Sequence, residues 1–381
     1  MFIESYFQTA AHLFEQYEVQ MPLHLFLKEY FRNNKKFGSR DRKYISELLY
    51  GIYRLGKANE HLRVRDRLLI GSFLSGRLPI LFFEKVNKEL AIRYEANIQE
   101  KMAYVIEAYQ CDFSVPFALT TGISEEQFIQ NLYAHPRVFI RIRKNHTTIE
   151  EKLIQQAIAF QRVSANCLSF DASVKLNELL DPSDYVIQDY ASQLTGDHFK
   201  PASNESWWDC CTASGGKSIM LLDKNSSIKL TATDIRETIL KNLHERMRVY
   251  GYESHYVSFN LDVTKDVSGQ LKNKFDAIVC DAPCSGAGTW GRSPEQYYFF
   301  TPEKLSQFAR LQSDIMQHII DQLKPDGRLY YITCSVLKYE NEEIMDSFMQ
   351  QNPGYSYIAE CIDTTTLGGD MMYIAEVRKK A

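Results

Sequence analysis

Residues 206–218 read SWWDCCTASGGKS, a short apolar run followed by a pair of glycines that opens a helical stretch. From about residue 183 to the end, short apolar runs alternate with helical stretches in the same way. Such alternation predicts an α/β domain over residues 183–381, with a mostly parallel sheet covered by helices. Ligands of these sheets bind at the carboxyl ends of the strands. The predicted strands are WWDCC, KLTATD, HYVSFNLD, FDAIVCDAP and RLYYITCS.

Three helical stretches separate these runs. They are KSIMLLDK, RETILKNLHERMRVYG and TPEKLSQFARLQSDIMQHIIDQL. The third has Thr301 as a predicted N-cap and Pro302 at the first helical position. The segment 324–327, KPDG, is predicted to end that helix.

The chain before residue 183 has a different periodicity. Apolar residues at helical spacing predict a helical domain over residues 1–125, with Ile45, Leu48, Leu49 and Tyr53 on one buried face. Breaks between helices are predicted at Pro22, Gly38-Ser39 and Gly71. Residues 126–182 are predicted to form a connecting subdomain, with a strand over 135–145 and a helix over 148–160.

Composition narrows the class of protein. The 381 residues are 45% hydrophobic and 24% charged, with a net charge of −4, which argues against a protein that coats nucleic acid indiscriminately. Residues 28–67 nevertheless carry twelve Lys or Arg against five Asp or Glu, an excess that suits either a solvated face or RNA. No secretory signal or membrane span is evident. The eight cysteines form no C-x-x-C pair, so we expect no metal, and without an export signal we expect reduced cytoplasmic thiols.

The glycines after the first strand predict a cofactor loop, because they let the backbone approach a ligand and expose helix N-terminal amides. A dinucleotide would require G-x-G-x-x-G, which is absent. A nucleoside triphosphate would suit GGKS, but Cys211 stands where its first glycine belongs, and Asp281 could imitate its magnesium-holding acid. S-adenosylmethionine requires an acid for its ribose hydroxyls, which Asp234 provides, and Asp262 can accept from the adenine amino group. The residues predicted to bind this cofactor are Cys211, Thr212, Ala213, Ser214, Gly215, Gly216, Lys217, Asp234, Asp262 and Asp281.

Two cysteines stand after the fourth and fifth predicted strands. Cys284 lies in DAPCSG, residues 281–286, and Cys334 lies in TCS, residues 333–335. A thiolate that adds to C6 of cytosine turns the ring into an enamine whose C5 can accept a methyl group, which is covalent catalysis. Asp281 could hold the N3/N4 edge of the base and stabilise the adduct. Asp281, Cys284 and Cys334 are therefore the predicted catalytic residues.

These motifs resemble the RNA cytosine-C5 methyltransferases of the RsmB/Nop2/NSUN group, over about Val186 to Arg378. Residues 188–194, QDYASQL, are similar to the family's entry segment, and Cys211–Lys217 to its cofactor loop, although Ser214 replaces the usual proline. The resemblance implies a Rossmann-like class I methyltransferase domain. It also implies that Cys334 attacks C6 and that Cys284 assists product release. Arg292 and Pro294 fall where the family has an Arg-x-Pro segment near the substrate.

Residues 38–57, GSRDRKYISELLYGIYRLGK, resemble a helical RNA-binding domain related to NusB. In this family such a domain precedes the catalytic part of the small-subunit ribosomal RNA enzymes. The first interpretation is therefore a monomeric methyltransferase acting on 16S-type rRNA without metal or membrane. Three alternatives stay open: a tRNA methyltransferase, a non-catalytic RNA-binding or ribosome-assembly protein that keeps the fold, and an ATPase.

Overall fold

The computed structural model describes residues 3–379, which fold into two compact units. The first unit comprises the chain up to Phe117 together with Ser124–His135 and Thr289–Thr301. The second comprises Ala118–Ile123, Pro136–Gly288 and the chain from Pro302 onward. No helix between residues 3 and 379 combines the length and apolar character that a bilayer crossing requires.

The helices are, in chain order, α1 Ile3–Gln16, α2 Leu23–Asn33, α3 Ser39–Leu55, α4 Val64–Ser75, α5 Ile80–Val86, α6 Lys88–Ile92, α7 Ile98–Tyr109, α8 Glu125–Tyr133, α9 His146–Gln155, α10 Tyr190–Leu194, α11 Gly216–Lys224, α12 Glu237–Val249, α13 Pro294–Tyr298, α14 Pro302–Ile320 and α15 Glu342–Gln351. The strands are β1 Val138–Ile142, β2 Gln161–Ser164, β3 Cys167–Phe170, β4 Tyr185–Ile187, β5 Ser206–Asp209, β6 Lys229–Asp234, β7 Tyr256–Asn260, β8 Phe275–Asp281, β9 Leu323–Thr333, β10 Tyr355–Asp363 and β11 Met371–Lys379.

The first unit is helical, as its periodicity predicted. The apolar face of α3 is buried, and Pro22 and Gly38 occupy the N-cap positions of α2 and α3. The predicted break at Gly71 is wrong, because Gly71 lies inside α4. A Cβ added there would stand 2.1 Å from the carbonyl oxygen of Gly51 in α3, so the glycine permits a close helix crossing and does not interrupt the helix.

Not all of the basic side chains in segment 28–67 are exposed. Arg54 and Arg67 are buried, at 2% and 4% exposure. The Arg54 guanidinium donates to the carbonyl oxygen of Leu132, and that of Arg67 donates to the Tyr298 hydroxyl. The other ten lysines and arginines of the segment are exposed. The local positive excess therefore remains largely available to solvent.

The second unit contains two sheets. Strands β1 to β4 form an antiparallel sheet in the order β2-β3-β1-β4. The larger sheet has the order β10-β11-β9-β8-β5-β6-β7, and every neighbouring pair is parallel except the two that involve β11. The prediction of a mostly parallel sheet is confirmed. The division into residues 1–125, 126–182 and 183–381 stays a prediction.

Most residues of the inner strands β5, β6, β8 and β9 are buried, which explains why these strands read as continuous apolar runs. Trp208 and Ile278 point into one core cluster with α14, whereas Trp207 and Val279 point into the other with α11 and α12. The five predicted strands correspond to β5 through β9. Their carboxyl ends therefore lie along one edge of the sheet.

The predicted end of the last long helix is wrong. Helix α14 ends at Ile320, and the KPDG segment lies within β9. Leu323 pairs with Phe275 and is buried, but the register then shifts so that Arg328 pairs with Ala277. The residues between Leu323 and Arg328 form a bulge. Pro325 has no N–H to donate to a neighbouring strand, and the bulge accommodates it.

The crossing of α3 and α4 generates a stability prediction. We expect Gly71→Ala to lower the free energy of unfolding by about 2 kcal/mol, because the new methyl group meets rigid backbone. Gly38→Ala is the control, since its Cβ would stand 3.5 Å from the nearest atom, an ordinary contact. Denaturant unfolding followed by helical circular dichroism measures both. Equal stability of the two variants would contradict the close crossing.

Candidate active site

The two predicted catalytic cysteines meet at the carboxyl ends of β8 and β9. These strands are parallel neighbours, and the sulfur atoms of Cys284 and Cys334 lie 3.3 Å apart. Both side chains are partly buried free thiols. The hydrogen bond to Cys334, together with burial, raises the pKa of Cys284 well above its ordinary value. Cys284 therefore stays protonated at neutral pH.

A buried carboxylate that the sequence analysis did not select joins the two cysteine loops. Glu340 accepts a hydrogen bond from the backbone N–H of Ser285 at 2.8 Å and from the amide of Gln312 at 3.2 Å. Its other oxygen accepts from the hydroxyls of Ser285 and Ser335. Each serine directly follows one of the cysteines. Glu340 thus fixes the spacing of both loops while its own charge is satisfied by four donors.

Asn341 holds the end of β9. The Thr333 hydroxyl donates to its side-chain oxygen at 2.6 Å, and its amide donates to the carbonyl oxygen of Ser335 at 2.9 Å. The same amide donates to the Thr120 hydroxyl at 2.7 Å. The asparagine therefore braces the residues on either side of Cys334.

Asp281 has a cationic partner from the predicted cofactor loop. The Lys217 ammonium lies 2.9 Å from the Asp281 carboxylate and donates to the Ser192 hydroxyl at 2.7 Å. Lys217 is buried, at 5% exposure. The first-strand loop and the predicted catalytic acid are thereby connected through one side chain.

Contacts with Asp209 and Arg246 position the loop formed by Cys211–Lys217. Ser218 donates to the buried Asp209 carboxylate at 2.6 Å, and burial raises the pKa of Asp209 to about 7. Gly215 has a φ of +85° and starts the turn into α11, where a Cβ would stand 2.3 Å from Leu243. Arg246 donates to both the carbonyl and hydroxyl oxygens of Ser214. This contact anchors the serine that departs from the family's proline.

The predicted cofactor acids stand at the ends of β6 and β7. Asp234 accepts from the backbone N–H of Ala213 at 3.0 Å and pairs with Arg236. Asp262 accepts from the N–H and hydroxyl of Thr264 and pairs with Lys265 at 2.8 Å, and these contacts lower the pKa of Asp262. Both carboxylates lie at adjacent strand ends, where their oxygens can accept hydrogen bonds. Ribose hydroxyls and an adenine amino group are the donors that suit them.

Arg292 and Pro294 lie in Thr289–Thr301, which belongs to the helical first unit. There, Arg54 donates to the carbonyl oxygen of Gly291, and the buried Glu295 carboxylate accepts from the Leu23 N–H. The segment that directly follows the Cys284 loop is therefore part of the helical unit's own packing.

The second unit also has a cavity of about 570 Å³ at the opposite ends of the strands. Lys229, Tyr256 and Phe275, which begin β6, β7 and β8, contribute to its wall. None of the predicted catalytic or cofactor residues lines it. The chemistry-bearing side chains are thus confined to the carboxyl edge of the sheet.

The chain is similar to known methyltransferases over the region that contains the site. Residues 197–372 match the family model described as 16S rRNA methyltransferase RsmB/F. The ribosomal RNA small subunit methyltransferase B of Vibrio vulnificus is 33% identical over 167 residues, which are 44% of this chain and 39% of that protein. The matches of this chain span 39% to 59% of the length of the curated relatives.

Solved structures show the same fold. The crystal structure of PH0851 has a TM-score of 0.67 and 16% identity, and covers 92% of this chain and 93% of its own. The structure of NSun6 from Pyrococcus horikoshii with SFG has a TM-score of 0.59 and 16% identity, and covers 67% and 94%. The family match over residues 197–372 confirms the resemblance that the DAPCSG and TCS motifs indicated, and the solved structures show that the fold is shared.

Proposed function

We propose that the chain is an S-adenosylmethionine-dependent methyltransferase that forms 5-methylcytosine in 16S-type ribosomal RNA through a covalent bond between Cys334 and C6. The 3.3 Å separation of the Cys284 and Cys334 sulfurs is the observation that carries this proposal. Two thiols at the ends of adjacent parallel strands, beside Asp281, form the set that this chemistry requires. The names of the curated relatives support ribosomal RNA as the substrate.

Residues Cys211–Lys217 with Asp234 and Asp262 are the proposed cofactor site. S-adenosylmethionine supplies an electrophilic methyl group when bound. The paired glycines leave room for a ligand at the start of α11, and Asp234 provides the acceptor for ribose hydroxyls. The Arg236 guanidinium that now pairs with Asp234 is 59% exposed, so it can yield its place at little cost.

The protein groups divide the proposed reaction among them. The Cys334 thiolate forms the bond to C6, and the ring electrons move to C5, which gains nucleophilic character and accepts the methyl group. Asp281 accepts from the base edge while Lys217 holds that carboxylate in place. A base then removes the C5 proton, the C6–sulfur bond breaks, and its electron pair returns to Cys334. Cys284, whose sulfur lies 3.3 Å from that of Cys334, assists this release.

The helical first unit is proposed to be a NusB-like RNA-binding domain. Its ten exposed cations within residues 28–67 suit phosphate contacts, which set affinity without reading sequence. A chain that contains both an RNA-binding unit and a complete cysteine pair requires no second copy. We therefore propose that it acts as a monomer.

Substrate class is tested by transfer of labelled methyl from S-adenosylmethionine to unmodified small-subunit rRNA, with tRNA in parallel. We expect label in 5-methylcytidine from the rRNA digest. Label from tRNA alone would retain the chemistry and overturn the substrate. Cofactor binding without label in either RNA would favour the non-catalytic alternative, and magnesium-dependent nucleotide binding in its place would favour the ATPase.

Substitution of each cysteine should give opposite signatures. We expect Cys334→Ala to abolish methyl transfer and leave cofactor binding intact, because the attacking sulfur is removed. We expect Cys284→Ala to trap a covalent protein–RNA adduct, because the residue that assists release is removed. The adduct would be visible as a shifted band on a denaturing gel. Normal turnover of Cys334→Ala would contradict the assignment of the nucleophile.

Glu340→Gln tests the carboxylate that joins the loops. Loss of the charged acceptor for two serine hydroxyls should lower kcat about tenfold and leave cofactor affinity unchanged, because the cysteine spacing relaxes. Glu343→Gln, an exposed neighbour, is the matched control and should behave as wild type. A weakened cofactor affinity in Glu340→Gln would instead indicate a general loss of structure.

A further inference from the structure

A second group of thiols lies apart from the Cys284 and Cys334 pair. Cys210 and Cys211 directly follow β5, and Cys280 is the penultimate residue of β8, its parallel neighbour. The three sulfur atoms all lie within 4.8 Å of one another. The Cys210 N–H donates to the carbonyl oxygen of Val279 at 3.0 Å, so the backbone fixes the relative position of the two strand ends.

We propose that Cys210, Cys211 and Cys280 hold one thiophilic metal ion of the d10 class, Cu⁺ or Zn²⁺, as a three-thiolate site. Thiolate sulfur is the donor that such ions prefer. With metal–sulfur bonds of about 2.3 Å, three sulfurs around one ion stand about 4 Å apart. The observed cluster therefore needs to contract by less than about 1 Å. Each coordinating thiol releases its proton to solvent when the metal–sulfur bond forms.

Two of the three thiols in this cluster are buried, unlike thiols that happen to lie close together on a protein surface. Cys210 and Cys280 are 1% and 0% exposed, whereas Cys211 is half-buried and offers the route of entry. An ion held there would be shielded from water on two sides. Cys280 lies in β8, and Cys210 and Cys211 directly follow β5, so the sheet sets the positions of the three ligands.

The number of donors distinguishes the two ions. Within residues 3–379, no fourth His, Cys, Asp or Glu brings a ligand atom into the 4.8 Å cluster. Cu⁺ accepts three sulfur ligands in a plane, whereas Zn²⁺ prefers four ligands and would need to add water. We therefore expect the site to prefer Cu⁺.

The test is an anaerobic titration of the reduced full chain with Cu⁺ held by a chromophoric chelator, and with Zn²⁺ in parallel. We expect one equivalent of Cu⁺ to be taken from the chelator, with release of protons. The Cys284→Ser/Cys334→Ser double variant should retain this equivalent. Cys211→Ser should lose at least a hundredfold in affinity, whereas Cys361→Ser, another partly buried thiol, should match wild type.

Cys211→Ser is the principal variant because its side chain is only half-buried, and Cys280→Ala is a second. Circular dichroism of each variant verifies that the fold is retained. Loss of the equivalent in Cys284→Ser/Cys334→Ser, or its retention in folded Cys211→Ser and Cys280→Ala, would overturn the site. Tighter binding of Zn²⁺ than of Cu⁺ would overturn the three-coordinate geometry. Cys211 also belongs to the proposed cofactor loop, but methyl transfer enters none of these readouts, so failure of the metal site is distinguishable from failure of the proposed function.

Discussion

The parallel pairing of β8 with β9 is the constraint on which the candidate site depends. It brings together Cys284 and Cys334, which are fifty positions apart in the chain, at one edge of the sheet. Parallel strands need a crossover connection, and here it includes α14, whose apolar face packs on the same strands. A cysteine pair of this kind is thus a product of topology, and no local sequence feature could create it.

The pairing alone does not position the two thiols, because both lie on loops beyond the last ladder bonds. Glu340 and Asn341 supply the missing restraint from a single turn that precedes α15. Burial of the Glu340 carboxylate is costly in itself, and the two serine hydroxyls, the Ser285 N–H and the Gln312 amide offset that cost. This network fixes the backbone at the point where the two sulfurs lie 3.3 Å apart.

The strands and the edge that carries the site could be predicted because buried parallel strands and the residues after them have a strong local pattern. Gly71 and the KPDG segment misled the prediction, since a glycine or proline is locally the same whether it breaks a helix or permits a close crossing or a bulge. Glu340 was missed for another reason. Its role depends on partners up to 55 positions away, and only the fold brings them together.

The Ser214 departure shows how a local irregularity can be offset at a distance. A proline would fix φ in the cofactor loop, whereas serine leaves that angle free. Here Arg246 of α12 donates to both oxygens of Ser214, so a side-chain contact replaces part of the covalent restraint. Because α12 also packs beneath the sheet through Leu243 and Met247, the loop inherits its position from the core. Tertiary contacts therefore position this loop although Ser214 replaces the proline.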